Sequence, residues 1–182
     1  MQRGKVRRMS KFLIIGQSNT GKSCLMDEIL EKNNLRPVGF RMRSIVFENE
    51  FKGYYMSSIN DVEGYHNNVP IQTVLRSKHR INLTEVYDTF GVLCLKDVLK
   101  MKKKDYDCII LDELGRGEAE SPEFMEKIRE VLELDKDVFI LMKTVNTPFT
   151  SELRKRNDLI IYDMDNMSQD EIYLSIESRL GK

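Results

Sequence analysis

Short, continuous apolar runs alternate along the chain with segments whose apolar residues recur at helical spacing. The four runs are Phe12–Ile15, Cys108–Leu111, Val138–Met142 and Leu159–Tyr162. Unbroken apolar runs of this length are typical of strands that are buried on both faces of a parallel sheet. The pattern therefore predicts four inner strands, with helices following them.

Three of the predicted helices carry clear local signals. Their apolar faces are, in chain order, Leu25, Ile29 and Leu30; Phe124, Ile128, Val131 and Leu132; and Ile172, Ile176 and Leu180. The second is predicted to begin with Ser121 as the N-cap and Pro122 at the first helical position. Residues 168–171 form a capping-box pattern at the start of the last helix, and Gly181 is its predicted end.

The region between the first helix and residue 80 follows a different pattern. Val38–Phe47 and Gly53–Ser58 flank a polar segment at residues 48–50, which predicts an antiparallel hairpin. Residues 60–80 have no clear periodicity and predict a long loop that is either mobile or functional. The order of elements predicts an α/β fold, a three-layer α/β/α sandwich with a mostly parallel sheet and an antiparallel hairpin insertion. Residues 1–10 are predicted to be a basic flexible tail and residues 11–182 a single domain.

Composition narrows the class of protein. The 182 residues are 41% hydrophobic and 32% charged, which is typical of a folded globular chain. Lysine plus arginine and aspartate plus glutamate both number 29, so the charge balance does not indicate a nucleic-acid binder. No apolar run approaches the roughly 18 residues of a membrane span, and we expect no membrane association. Three separated cysteines favour a reducing, cytoplasmic location over a disulfide scaffold.

The strongest chemical signal is the GxxxxGK[ST] pattern at residues 16–23, placed between a predicted buried strand and a predicted helix. Glycines in this pattern allow successive backbone N–H groups to face phosphate oxygens, and the helix start adds further unpaired N–H groups. Lys22 is predicted to contact the β- and γ-phosphates, and Ser23 to place its hydroxyl on Mg²⁺. The predicted nucleotide-binding residues are Gly16, Gln17, Ser18, Asn19, Thr20, Gly21, Lys22, Ser23 and Cys24.

The second signal is an acidic pair at the carboxyl end of the strand that begins at Cys108. Ligands of open α/β sheets bind at this end of the strands. Asp112 is predicted to hold Mg²⁺ together with Ser23, and Glu113 to orient or deprotonate the attacking water. Arg116, between two glycines, is either a cation that stabilises the transition state or part of an ordinary exposed loop. The predicted catalytic residues are Lys22, Glu113 and Arg116.

Other polar and aromatic residues carry weaker signals. Cys24 is expected to be a small buried hydrophobe, with a redox-sensitive thiol as the alternative. His66 and His79 are expected on the surface. Tyr54 and Tyr55 are expected to pack in the hairpin, with stacking on a nucleotide base as the alternative.

These motifs together resemble the small P-loop nucleoside-triphosphatases first recognised in thermophiles, also called cancer-related nucleoside triphosphatases. The resemblance covers roughly residues 11–180 and rests on residues 16–23, 37–41, 112–118, 121–124, 143–146, 153 and 156–158. It implies Mg²⁺-dependent hydrolysis with loose base preference, an additional catalytic glutamate, and a sheet in which another strand separates the two strands of the phosphate site. The chain departs from the family at residues 41–43, where the family tends to have Thr and Glu, and at Gly117, where a bulky apolar residue is usual.

The sequence therefore predicts an Mg²⁺-dependent enzyme that hydrolyses the γ-phosphate of ATP, GTP and other nucleoside triphosphates. Two alternatives stay open: a phosphotransferase acting on a small molecule or nucleic acid, and a non-enzymatic binding module switched by nucleotide. The predicted partner is the nucleoside triphosphate. The sequence identifies no protein partner.

Overall fold

The computed structural model describes residues 9–180. The predicted basic tail therefore lies outside the described residues except for Met9 and Ser10, and Gly181 lies outside them as well. Within the described range, no helix is both long and apolar enough to cross a bilayer.

Within residues 9–180, eight strands form one sheet, with five α-helices around it. The strands are β1 (Lys11–Gly16), β2 (Pro37–Phe47), β3 (Glu50–Ser58), β4 (Asn68–Val74), β5 (Arg80–Asn82), β6 (Cys108–Leu114), β7 (Asp137–Lys143) and β8 (Leu159–Asp163). The helices are α1 (Lys22–Asn33), α2 (Val92–Lys100), α3 (Pro122–Leu132), α4 (Pro148–Lys155) and α5 (Gln169–Leu180). A π-helical turn at Tyr87–Gly91 leads into α2, and a 3₁₀ turn at Gly117–Glu120 leads towards α3.

The sheet has the order β5-β4-β3-β2-β6-β7-β1-β8. β2, β6, β7, β1 and β8 are parallel to one another, whereas β3, β4 and β5 pair antiparallel beyond β2. β7 lies between β1 and β6, so one strand separates the strands that carry the two motifs, as the family resemblance implied. The predicted α/β class with a mostly parallel sheet is confirmed.

The inner strands bury side chains on both faces, which is why their sequences are continuous apolar runs. Leu13, Leu111 and Ile140 belong to the core cluster beneath α2, α3 and α4. Phe12 and Ile110 belong to the cluster on the opposite face, beneath α1 and α5. Alternate residues of one strand therefore enter different cores, and the sheet is the middle of three layers.

The antiparallel part of the sheet is larger than the sequence predicted. The expected long loop at residues 60–80 contains β4, whose Pro70 and neighbouring residues pair with β3, and it ends at β5. Neither strand contains a buried residue, and β5 is only three residues long and exposed throughout, so the burial pattern by which strands are recognised is weak here. The predicted loop over this whole range is wrong.

One element boundary and one helix cap also differ from the prediction. The hairpin turn is only two residues, Glu48 and Asn49, which both have positive φ as a type I′ turn requires, so that Glu50 already belongs to β3. Ser121 does occupy the N-cap of α3, but its hydroxyl donates to Asp88 and accepts no helical N–H.

Candidate active site

The loop between β1 and α1 turns sharply enough to bring backbone groups to one point. Asn19 has φ of 66° and Gly21 φ of 88°, both in the left-handed region. Thr20 closes the loop by donating its hydroxyl to the Gln17 carbonyl oxygen at 2.9 Å. Such alternation of backbone conformations makes the concave arrangement of N–H groups that binds anions.

The first turn of α1 supplies further donors. The first backbone hydrogen bond of the helix joins the N–H of Leu25 to the carbonyl oxygen of Gly21, at 2.9 Å. The N–H groups of Lys22, Ser23 and Cys24 precede it and have no acceptor inside the helix. The positive end of the helix dipole adds to this, so the loop and helix together form a phosphate-binding cradle.

Lys22 is held inside this loop by three short contacts. Its Nζ donates to the carbonyl oxygens of Gly16 at 2.8 Å and Gln17 at 2.6 Å. It also pairs with Oε1 of Glu113 at 2.9 Å, and its side chain is only 4% exposed. A longer hydrogen bond to Oγ1 of Thr20 at 3.4 Å completes the three donors of the ammonium group, in addition to the ion pair with Glu113. Lys22 thus joins the phosphate loop directly to the acidic end of β6.

Ser23 and Asp112 meet at the same place. The Ser23 hydroxyl donates to Oδ2 of Asp112 at 3.2 Å. A hydroxyl and a carboxylate are oxygen ligands of the kind that Mg²⁺ prefers, with phosphate and water oxygens completing its octahedron. Among the described residues, no group of three or more His, Cys, Asp and Glu side chains would hold a metal alone. The pair therefore fits a cation that arrives together with phosphate.

The environment of Asp112 also favours a cation. Its side chain is buried on β6, and burial raises its pKa to about 6, against a lowering effect of Arg41 and with a smaller rise from Glu113. Arg41 lies opposite Asp112 in the register between β2 and β6, and it pairs with Asp27 on α1. A positive ion at the carboxylate would offset the cost of burying its charge.

Glu113 lies between two lysines. Besides the contact with Lys22, its Oε2 lies 3.3 Å from Nζ of Lys143, the last residue of β7. The ammonium of Lys143 also sits 5.0 Å from the centre of the Tyr54 ring, a cation–π distance. Glu113 is 16% exposed and lines the cavity described next, so one side of the carboxylate faces the place where a substrate would lie.

A cavity of about 610 Å³ opens over these groups. Its lining comes from the phosphate loop and α1 (Ser18, Asn19, Gly21, Lys22, Ser23, Cys24), from the β2–β3 hairpin (Met42, Arg43, Ser44, Val46, Phe51, Tyr54) and from β6 (Asp112, Glu113). This size is within the range of small-molecule sites. The hairpin insertion thus forms one wall of the cavity.

The predicted site residues divide into three groups. Six of the nine predicted nucleotide-binding residues line the cavity. The other three stabilise the loop: the carbonyl oxygens of Gly16 and Gln17 accept hydrogen bonds from Lys22, and the Thr20 hydroxyl donates to Gln17. Asp112 and Glu113 lie with them. Arg116 is exposed and lines a neighbouring cavity instead.

The weaker predictions have mixed outcomes. Cys24 is exposed and lines the cavity, so the expectation of a small buried hydrophobe is wrong. It lies in the first turn of α1, on the side that faces the phosphate cradle. His66 and His79 are exposed, as predicted. Tyr54 packs edge-on against Phe51 in the hairpin and also lines the cavity.

Sequence reasoning missed the roles of Arg41 and Lys143. Lys143 is the last residue of β7, and Arg41 is the last residue of β2 that pairs with β6, so both lie level with the acidic end of β6. That position is the signal that would have found them. The neighbours of β6 follow from the sheet order, which the residue pattern alone did not supply.

Comparisons with known proteins agree with this geometry. A family model described as NTPase matches residues 11–177. The chain is 26% identical to the nucleoside-triphosphatase THEP1 of Thermotoga sp. (strain RQ2) over 171 residues, covering 93% of this chain and 95% of that protein. It is 26% identical to the protein of that name from Methanothermobacter thermautotrophicus over 177 residues, covering 94% and 96%.

Two solved structures share the fold. The crystal structure of THEP1 from Aquifex aeolicus superposes with a TM-score of 0.73 at 19% identity, covering 94% of this chain and 99% of that one. The solution structure of a human cancer-related nucleoside triphosphatase gives a TM-score of 0.68 at 15% identity, covering 94% and 97%. The family model spans nearly all of the described residues, including the phosphate cradle and the acidic pair, and the chain therefore belongs to the NTPase family.

Proposed function

We propose that the protein is an Mg²⁺-dependent nucleoside-triphosphatase that hydrolyses the γ-phosphate of ATP, GTP and other nucleoside triphosphates. The observation that carries the proposal is the position of Glu113. Its carboxylate contacts Nζ of Lys22 at 2.9 Å and faces the cavity. In the sequence, Glu113 comes directly after the buried Asp112. Membership of the NTPase family supports hydrolysis as the reaction.

The phosphate cradle would hold the triphosphate by contacts that do not depend on the base. The backbone N–H groups of Lys22, Ser23 and Cys24 would donate to phosphate oxygens. The Lys22 ammonium would exchange its contacts with loop carbonyls and Glu113 for the β- and γ-phosphates. Because every nucleoside triphosphate presents the same phosphates, we propose a broad substrate range that includes ATP and GTP.

Ser23 and Asp112 would hold Mg²⁺ between them and the phosphates. When bound, the ion would neutralise phosphate charge and so favour attack at the γ-phosphorus. Asp112 has the neighbouring strand β2 beside it in the sheet, where Arg41 is its register partner. This support would keep the carboxylate oriented when a cation and a triphosphate are exchanged.

Glu113 would act on the water that attacks the γ-phosphate. Once Lys22 turns to the phosphates, Oε1 of Glu113 becomes available as a hydrogen-bond acceptor for that water. Lys143 would keep the other oxygen fixed, through the 3.3 Å contact to Oε2. The proposed hydrolysis does not depend on Arg116, whose side chain lines the neighbouring cavity.

The three free cysteine thiols support a cytoplasmic location, because proteins of oxidising compartments tend to pair theirs. We propose that the enzyme acts there, with the nucleoside triphosphate as its partner.

The test is phosphate release from ATP, GTP, CTP and UTP, with and without Mg²⁺. Glu113→Gln should lower kcat about 10²- to 10⁴-fold, the usual effect of removing a general base, and leave binding of a non-hydrolysable ATP analogue intact. Lys22→Ala should lose both binding and release. Glu31→Gln, an exposed carboxylate on α1, is the matched control and should behave as the unmodified protein.

Two results would contradict the proposal. One is the absence of phosphate release while the analogue binds tightly, which would direct attention to an acceptor substrate or a switched binding module. The other is full activity of Glu113→Gln, which would remove the proposed role of the carboxylate.

A further inference from the structure

A second cavity of about 450 Å³ adjoins the nucleotide cavity. Its walls come from the antiparallel strands, the turn after β6 and the segment after β7. Tyr54 lines both cavities. Lys143 lines the second one and contacts Glu113, which lines the first. The two cavities therefore meet beside the carboxylate that we propose as the base.

The second cavity is lined by more cations than anions. Arg80, Arg116 and Lys143 face it, with Glu120 as the acid among the lining residues. Within residues 9–180, neither Arg80 nor Arg116 makes an ion pair, although Arg80 lies 5.8 Å from the centre of the Phe51 ring. Two arginines that line one cavity without carboxylate partners are suited to an anion, and the guanidinium fork matches phosphate in particular.

A polar atom in the same wall also lacks a partner. The Gln72 side chain donates from Nε2 to Oδ1 of Asn82 at 2.7 Å, and both residues line the cavity. This bond fixes the amide, and Oε1 is left buried with no hydrogen-bond donor among the described residues. Buried acceptors are normally satisfied, so a small shift of the amide that exposes this oxygen to the cavity would let a hydroxyl or N–H group of a ligand complete it.

We propose that the second cavity binds a small organic phosphate monoester, as a site additional to the nucleoside-triphosphate site. The phosphate would lie between Arg80 and Arg116, and a hydroxyl or N–H of the organic part would donate to Gln72. Ile71 and Val145 give the cavity an apolar wall against which carbon atoms would pack. Sugar phosphates and nucleoside monophosphates share this chemistry, and the experiment distinguishes them.

The site also reaches the proposed catalytic machinery. A phosphate in the cavity would attract the Lys143 ammonium, which otherwise lies 3.3 Å from Glu113. This part of the inference rests on the proposed function. The binding itself does not, because none of the groups assigned to the phosphate monoester belongs to the triphosphate cradle.

The experiment is a titration of the full ¹⁵N-labelled chain, followed by NMR, with AMP, ribose 5-phosphate and uncharged adenosine. It is run with the protein alone and with the protein saturated by Mg²⁺ and a non-hydrolysable ATP analogue. We expect saturable binding of at least one phosphate and none of adenosine. The signals of the Gln72 side-chain amide and of residues 80–82 and 116–117 should shift. Preference for AMP or for ribose 5-phosphate identifies the source.

A matched pair of variants tests the location. Arg80→Gln should weaken the binding about tenfold, the effect of losing one charge-assisted hydrogen bond. Arg76→Gln removes the same charge from an exposed position nearby that does not line the cavity, and should leave the binding unchanged. No saturable binding of either phosphate overturns the proposal. So do equal losses in both variants, or shifts confined to residues 16–24. Failure of the ATP analogue to bind would instead contradict the proposed function, since the titration without it still reports on Gln72.

Discussion

Glu118 is a carboxyl group buried beside the active-site loop. Its side chain is 2% exposed and accepts the N–H of Gly115 at 2.8 Å. Burial raises its pKa, although backbone hydrogen bonds and Lys143 act in the opposite direction. The hydroxyl of Tyr87 lies next to it, and burial together with Glu118 raises the pKa of that phenol too. A Cβ on Gly117 would lie 2.7 Å from the Tyr87 oxygen, so this packing leaves no space for a larger residue there.

We predict that Glu118→Gln changes how folding stability depends on pH. The pKa of Glu118 in the folded protein lies above its ordinary value of 4.5. In the pH interval between these two pKa values, the folded chain therefore binds more protons than the unfolded chain. The free energy of unfolding then falls as pH rises through the interval. The glutamine side chain does not titrate, so the variant does not lose stability in this way, and its amide oxygen can still accept the Gly115 N–H. The variant should therefore gain stability relative to the unmodified protein as pH rises.

Urea unfolding across a series of pH values measures this effect. Glu120→Gln, two residues further on and exposed, is the control and should run parallel to the unmodified protein. Parallel curves for Glu118→Gln and the unmodified protein would show that burial does not perturb this carboxyl group.

Among individual site residues, the sequence predicted those whose relative positions are set by a short stretch of chain. Lys22 and Ser23 are fixed relative to each other by one loop, and Asp112 and Glu113 by one strand end, so both pairs were found. Lys143 was not, because its contact with Glu113 joins residues that are distant along the chain and depends on the neighbours of β6 in the sheet.

The phosphate loop is constrained as an element by α5. Gly21 has φ of 88°, and a Cβ there would lie 2.3 Å from Nε2 of Gln169, the first residue of α5. That amide donates to the Thr20 carbonyl oxygen at 3.3 Å. Gly64 provides a comparison, since its φ is 81° but a Cβ would meet nothing within 4 Å.

We predict that Gly21→Ala and Gly64→Ala differ in nucleotide binding but share a backbone penalty. Both place a Cβ in the left-handed region, at a cost of roughly 1 kcal/mol. Only Gly21→Ala also displaces Gln169 and distorts the loop, so its affinity for a non-hydrolysable ATP analogue should fall about tenfold or more. Calorimetric titration measures the affinity and thermal unfolding the shared penalty. Equal affinities in the two variants would contradict the role of the α5 contact.

Strands were predictable from the sequence where their burial in the sheet produced a continuous apolar run. β1, β6 and β7 contain continuous apolar runs because both of their faces are covered. β8 was located by a similar run, although it is an edge strand of the sheet and its Ile161 is 41% exposed. β4 and β5 were missed because their side chains are at most half-buried, so pairing with β3 and with each other determines these strands, and hydrophobicity does not. The same limitation concealed the second cavity, since these strands form its wall.

The nucleotide cavity joins parts of the molecule that belong to different cores. α1 packs on the core of one face, whereas the Met56 end of the hairpin and Leu114 of β6 belong to the core of the other. A ligand held by the phosphate loop, the hairpin and β6 therefore contacts elements that unfolding would separate. Ligand binding to the folded state should stabilise the whole chain.

We predict that Mg²⁺ with a non-hydrolysable ATP analogue raises the Tm of the protein. At one hundred times Kd the stabilisation is about 2.7 kcal/mol, which corresponds to roughly 5–10 °C for a chain of this size. Glu113→Gln should keep the shift, because it leaves the phosphate contacts in place, and Lys22→Ala should lose it. A shift that survives in Lys22→Ala would mean that the analogue binds outside the phosphate cradle. Differential scanning fluorimetry at several analogue concentrations makes the measurement, and the dependence on concentration separates specific binding from a general effect of salt.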